Sequence, residues 1–272
     1  MLDLSGFLDI PDPEYRKAPG LNWSRLKVVG DSPRLYEYQS TNPRADTGAF
    51  VFGRAFHAAL LQPEVYGTGW KVYTGATRRG KAWESFQRLY GDDYEIITEA
   101  EAAEIESMVR AVHAHGDASM LMGLEGVNER AIFWEEDGRA MKAKVDRTCW
   151  ASEDPHAPIF VVDAKTTREI DPESFGRSAD KFGYVGQMEH YARGVEILTG
   201  RPTIAILLAV EKTAPYDVGV FRISGEARRL GAVQRQTYLD RLDRCTSSGE
   251  WPGQVPTMID LPIARWAKIR RF

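Results

Sequence analysis

The chain has 272 residues, 43% of them hydrophobic, and a net charge of −4, so it has material for a sizeable core but no global positive field for nucleic acid. Two distant cysteines, Cys149 and Cys245, exclude a disulfide framework, a four-thiolate zinc site and an iron–sulfur cluster built in one chain. No apolar run reaches the roughly 18 residues of a membrane span. The N-terminal stretch lacks the basic-then-apolar order of a signal peptide, so a cytoplasmic setting without membrane contact is expected.

In chain order, Asn22 or Ser24 caps a short helix through "SRLKVVG", and Asp31, Ser32 and Pro33 start another through "RLYEYQS". A helix runs from about Gly53 to Leu61 and stops near Pro63, and "KAWESFQRLYG" forms one with Gly91 just past its end. "TEAEAAEIESMVRAVHAH" is the strongest helix, with Thr98 as cap and Glu101 completing a capping box. The period then changes. "ERAIFWEE" and "RAMKAKVDRTCW" are strands joined at Asp137-Gly138, a hairpin signal; alternation puts Met141, Ala143 and Val145 on one face and Lys142, Lys144 and Asp146 on the other. "IFVVDAK" is a third strand. The helix "GYVGQMEHYARGVEILTG" permits a crossover to a parallel strand "TIAILLAVE", and "DVGVFRIS" and a helix through "EARRLGAVQRQTYLDRLDRC" follow. The expected architecture is α/β or α+β in one domain: a helical portion over about 1–125, the core sheet and helix over 126–225, and a C-terminal helix and tail over 226–272.

The stretch "IFVVDAKTT" concentrates the chemistry. Period two places Asp163 and Lys165 on one face at the end of an apolar strand. If its strand neighbours the preceding one, Asp146 and Asp163 meet, and two carboxylates there repel unless a cation sits between them. A hard divalent ion such as Mg²⁺ suits that oxygen set, and the lysine is a point charge beside it for a phosphoryl group. A bare D-x-K is equally compatible with a solvated strand end. Gln187 and Tyr191, at i and i+4, share a helix face that can hold a phosphate, a water or Lys165. His57, on the apolar helix "GRAFHAALL", reads alone as a core or boundary histidine. "GATRRGKA" fits most of a P-loop but has Ala82 where Ser or Thr must ligate Mg²⁺, which argues against an NTPase.

Taken together, "SRLKVVGDSPRLYEYQ", "GRAFHAALLQPEVY", "RRGKAWESF", "NERAIFWEEDGRAMKAKVDR", "VVDAKTT", "GYVGQMEHY" and "EWPGQ…LPIARW" form an ordered set that resembles the RecE-type (exonuclease VIII) branch of the PD-(D/E)XK nucleases. The resemblance spans about residues 20 to 266. It implies a restriction-endonuclease-like core with a mixed sheet flanked by helices. It also implies a metal-dependent exonuclease that digests duplex DNA from 5′ ends and leaves 3′ single-stranded tails. One or two Mg²⁺ or Mn²⁺ ions would be bound. Asp146 and Asp163 are then the metal carboxylates, His57 an extra ligand, Ala164 a backbone-carbonyl ligand and Lys165 the catalytic lysine. Glu129 shapes the metal site, and Gln187 and Tyr191 are the trailing helix motif. Lys144 stands where arginine is frequent, which weakens a bidentate phosphate contact. The family further implies a ring-like homo-oligomer, duplex DNA ends as substrate and a single-strand annealing partner in a phage or prophage recombination module. An endonuclease or a single-strand-specific nuclease of the same fold, and a non-catalytic DNA-binding module, are the alternatives. Local basic residues would contact DNA: Arg25, Arg54, Arg78, Arg79 and Lys81 foremost, with Lys27, Arg34 and the C-terminal "RWAKIRRF" as further candidates.

Overall fold

The computed structural model describes residues 6–42, 48–75 and 77–261, with the backbone alone at 48 and 49. The basic C-terminal "RWAKIRRF" and the motif piece "LPIARW" extend outside the described residues.

The chain opens with β1 (Phe7–Leu8), α1 (Asp12–Lys17), α2 (Trp23–Asp31) and α3 (Pro33–Thr41). Asn22, not Ser24, caps α2: its side chain accepts a hydrogen bond from the Arg25 amide at 3.0 Å. Ser32 ends α2 and caps α3, with Pro33 in the first turn, where its missing N–H costs nothing. The helix carrying His57, α4 (Gly48–Leu61), begins five residues earlier than the pattern suggests; α5 (Pro63–Gly69) starts at the proline that ends it. A small parallel pair, β2 (Trp70–Tyr73) and β3 (Glu95–Thr98), brackets α6 (Gly80–Tyr90).

The helix α7 (Glu99–Ala114) carries the full capping box: the Thr98 hydroxyl accepts from the Glu101 amide at 3.2 Å, and the Glu101 carboxylate accepts from the Thr98 amide at 2.8 Å. Thr98→Ala should therefore cost about 1 kcal/mol of stability. Urea unfolding midpoints check this; an unchanged midpoint would mean that tertiary packing alone fixes the start of α7. A second short helix, α8 (Gly116–Gly123), went unseen in the sequence because its cap is His115, whose Nδ1 accepts from the Ala118 amide.

The core is a six-stranded sheet in the order β1-β4-β5-β6-β7-β8. Its members β4 (Glu125–Glu136), β5 (Arg139–Trp150) and β6 (Ile159–Thr167) are antiparallel neighbours. The β4–β5 turn has Asp137 and Gly138 at φ 51° and 71°, the two left-handed residues that a tight hairpin requires. Next, α9 (Pro172–Phe182) and α10 (Tyr184–Thr199) carry the chain over to β7 (Thr203–Glu211), which runs parallel to β6. The antiparallel β8 (Val218–Arg222) and α11 (Gly225–Ser248) complete the described chain.

The sheet separates two apolar layers. On one face Ile159, Val161 and Leu207 pack with Met188 and Val195 of α10. On the other, Val162, Ala164 and Leu208 pack with Phe56 of α4 and Ile105 and Met108 of α7. Each of the larger side chains contributes about 1.5–3 kcal/mol by leaving water. The helix α10 lies close to its neighbours because two of its residues lack a Cβ: one at Gly186 would stand 2.1 Å from Trp23, and one at Gly194 2.8 Å from Trp134.

Strict alternation along β5 ends at the residue of greatest interest. Met141, Ala143 and Val145 face the α10 layer as expected, but Cys149 faces the α4 layer, so an odd-numbered residue has changed sides. The change falls across Asp146 and, in the partner strand, Glu129, whose φ of 51° departs from extended geometry. Asp146 thus does not simply continue the face of Lys142 and Lys144. It sits at the switch.

The imidazole of His190, inside α10, donates from Nε2 to the Lys142 carbonyl at 3.1 Å and accepts at Nδ1 from Arg235 at 3.3 Å. A proton on Nδ1 would oppose the guanidinium. Burial, reinforced by Arg235, brings the His190 pKa down to about 4 despite that carbonyl bond. Unfolded histidine titrates near 6.5, so below that pH the unfolded chain binds more protons and the folded state loses stability as pH falls toward 4. The loss should approach about 3 kcal/mol. Unfolding free energies between pH 7 and 4.5 should fall more steeply in wild type than in His190→Gln; parallel curves would exclude His190 as the source.

Candidate active site

Four segments converge at one end of the sheet. From α4, His57 Nε2 donates to the Ala164 carbonyl at 2.9 Å, which turns Nδ1 toward Glu129 Oε1 at 3.6 Å and Asp146 Oδ2 at 3.5 Å. Asp146 Oδ2 also accepts from the Ala164 amide at 2.8 Å, so a single residue of β6 orients both the histidine and the carboxylate. The left-handed backbone at Glu129 carries its carboxylate between His57 and Lys144, whose Nζ stands 3.6 Å from Glu129 Oε2 and also pairs with Asp12 of α1.

Beside this group lies the D-x-K pair. Asp163 is 1% exposed; its Oδ2 is contacted by Lys165 and its Oδ1 accepts from Gln187 Nε2 at 3.3 Å. Gln187 also donates to the Tyr191 hydroxyl at 2.9 Å, and Lys165 Nζ sits 4.7 Å from the Tyr184 ring centre. Gln187 and Tyr191 therefore hold the carboxylate that holds the lysine.

The charges are strongly interdependent. Burial raises the Asp163 carboxyl to about 6, with Lys165 opposing and Asp146 reinforcing the shift. Asp146 is likewise raised by burial, countered by His57 and reinforced by Glu129. Burial alone would lower His57, but the neighbouring Asp146 and Glu129 carboxylates push it up to about 9. Burial also works against Lys165, yet Asp163 and Asp146 hold it above the ordinary lysine range. Crowded carboxylates of this kind favour any cation placed among them.

One atom each from His57, Glu129 and Asp146 lie within 4.8 Å of one another, an imidazole nitrogen and two carboxylate oxygens. That donor set fits a divalent cation of the Mg²⁺ or Mn²⁺ type. Glu129, read from sequence as shaping the site, stands within ligand reach. Asp163 stands outside the trio, engaged with Lys165 and Gln187. The Ala164 carbonyl is taken by His57.

Residues 24–257 match the sequence profile described as "PDDEXK-like domain of unknown function (DUF3799)". The chain belongs to the PDDEXK-like family. A crystal structure from Eubacterium rectale, described as "Putative exonuclease", superposes on this PDDEXK-like chain with a TM-score of 0.63 at 12% identity, covering 94% of this chain and 97% of the other. At that identity the likeness is one of fold, and it matches the restriction-endonuclease-like arrangement of the sheet and its helices. No curated protein matches the sequence.

The PDDEXK-like site opens into a cleft of about 1660 Å³ that holds His57, Glu129, Asp146 and Lys165. Among the basic residues named from sequence, Arg54 and Lys27 line this cleft; Arg54 donates to Glu95 at 2.8–3.0 Å and Lys27 pairs with Asp31. Arg25, Arg78, Arg79 and Lys81 do not line it. Arg25 donates to Ser40 and covers the Tyr36 ring; Arg78 pairs with Glu101 at 2.5 Å; Arg79 and Lys81 flank the exposed start of α6. The cleft instead takes Arg168, Lys181 and Lys212, which sequence reasoning passed over. Their signal was readable: Arg168 and Lys212 each follow the end of an apolar strand. Among the described residues no helix is long and apolar enough to cross a membrane.

Proposed function

We propose that this chain is a divalent-metal-dependent deoxyribonuclease and, more narrowly, a RecE-type exonuclease that resects duplex DNA from 5′ ends to leave 3′ tails for recombination. The observation that carries the reading is the His57–Glu129–Asp146 convergence beside the Asp163–Lys165 pair in an open cleft of a PDDEXK-like chain. The "Putative exonuclease" label of the Eubacterium rectale neighbour and the motif order support the narrower part.

His57, Glu129 and Asp146 would hold the cation, which when bound supplies Lewis acidity toward a phosphoryl oxygen. Lys165 provides a fixed positive charge where negative charge grows on the phosphate during hydrolysis. Asp163 keeps that ammonium charged and aimed; Gln187 and Tyr191 fix Asp163. The motif resemblance alone supports a ring-shaped homo-oligomer on DNA and a single-strand annealing protein as partner.

The test offers 5′-phosphorylated linear duplex, labelled at either 5′ or 3′ ends, and closed circular duplex, each with Mg²⁺ or with chelator. Mononucleotide release from linear DNA alone, 5′ label first and lost in chelator, is the expected result. Scission of the circle would replace the exonuclease by an endonuclease. Failure to cut any DNA with either Mg²⁺ or Mn²⁺ would remove the nuclease reading.

A further inference from the structure

We propose that Arg168 and Lys212 form a phosphate clamp that grips the substrate strand away from the scissile bond. The inference deepens the nuclease reading of the cleft and rests on it. The two residues come from neighbouring strand ends. In the parallel ladder Thr167 stands opposite Glu211, and the Lys212 amide extends the ladder by donating to the Thr167 carbonyl at 3.0 Å. Arg168 and Lys212 are therefore the next residues on adjacent strands, brought side by side where both strands run out into the cleft. Crevices at the carboxyl ends of parallel strands are where α/β sheets bind ligands.

Charge pairing separates these two and Lys181 from the other cations of the cleft, and Lys181 lies over the Phe182 ring of its own helix, away from the two strand ends. Lys27 is tied to Asp31, Arg54 to Glu95, Lys144 to Asp12 and Lys165 to Asp163. Among the described residues neither Arg168 nor Lys212 has an acidic partner. Lys212 is partly buried, with its Nζ 5.7 Å from the centre of the Phe52 ring on α4, whereas Arg168 is exposed. Burial lowers the Lys212 pKa and the Arg168 charge lowers it further, so the pair sits in mutual repulsion that an anion would relieve. A nucleic-acid phosphate is the anion that the site would present. Arg168 follows Lys165 by three residues, roughly 10 Å of strand. The clamp thus meets a backbone phosphate beyond the one being cut. Its role is positioning: no hydrogen bond or ion pair joins either side chain to the metal trio among the described residues.

The test uses Arg168→Ala, Lys212→Ala and the conservative Arg168→Lys, with binding of linear duplex followed by fluorescence anisotropy in chelator across a salt series. Cleavage kinetics are read separately in Mg²⁺. Each alanine variant should weaken binding about tenfold and reduce the slope of log K against log salt by about one. KM should rise with kcat retained, Arg168→Lys should recover most of the loss, and the defect should vanish on dinucleotide substrates too short to reach the clamp. Unchanged affinity and salt slope in both alanine variants, or a fall in kcat with KM intact, overturns the clamp. A wild type that binds DNA with a slope sensitive to these variants yet cuts none would overturn the nuclease reading and leave the clamp standing.

Discussion

Replacing Lys165 by alanine should lower phosphodiester hydrolysis by about 10²–10³-fold, the usual consequence of deleting one preorganised charge that faces a developing anion. The fold should survive. The substitution strands the 1%-exposed Asp163, but that carboxyl is already raised to about 6, and without its partner it takes up a proton rather than stay charged. The Gln187–Tyr191 contact is independent of the lysine and remains. Cleavage is thus expected to collapse while thermal unfolding and DNA affinity change little. Single-turnover nucleotide release with saturating enzyme separates chemistry from binding. Activity within tenfold of wild type would exclude Lys165 from the chemistry and leave the D-x-K stretch a structural strand end.

The second large effect falls on stability. Arg147, buried next to Asp146, donates to the carbonyls of Leu121, Met122 and Leu124 and to Asn128 Oδ1 at 2.6–3.1 Å. Those carbonyls close the C-terminal turn of α8, where orphan acceptors and the negative end of the helix dipole both call for a cation. Arg147→Met preserves the stem but leaves the acceptors unmatched. Each buried acceptor costs about 1–3 kcal/mol, and a shared network is less than additive. A loss of about 3–5 kcal/mol is expected, with Arg147→Lys in between. Denaturant titration reads it directly; a loss below 1 kcal/mol would mean that water or relaxation replaces the guanidinium.

Features set by short-range chemistry were legible in the sequence. The Asp137-Gly138 turn, the Thr98–Glu101 box, the starts of α2 and α3 to within a residue or two, and the Gln187–Tyr191 spacing each follow from residues a few positions apart. The D-x-K strand was legible only through its context, because the bare motif also suits a solvated strand end and the ordered set of motifs around it was needed to read it as a site. The illegible parts depend on distant partners. Nothing within β4 announces a left-handed Glu129, since glutamate gains nothing locally from that conformation; the site geometry is what uses it. The change of face at Asp146 is invisible to a period-two reading for the same reason. The surroundings of the basic residues were not legible, because whether an arginine is engaged, as Arg78 is by Glu101, or open to the cleft, as Arg168 is, depends on contacts made through the fold.

The sheet that divides two apolar layers has a consequence for inactivation. Lys165 is steadied through Asp163 by α10 on one side, while the imidazole arrives from α4 on the other. Neither helix alone retains a working centre. Heat or denaturant that loosens whichever layer is weaker will silence the protein while the opposite layer is still intact, so catalytic half-life will track the frailer side, and hardening the sturdier one will bring no gain.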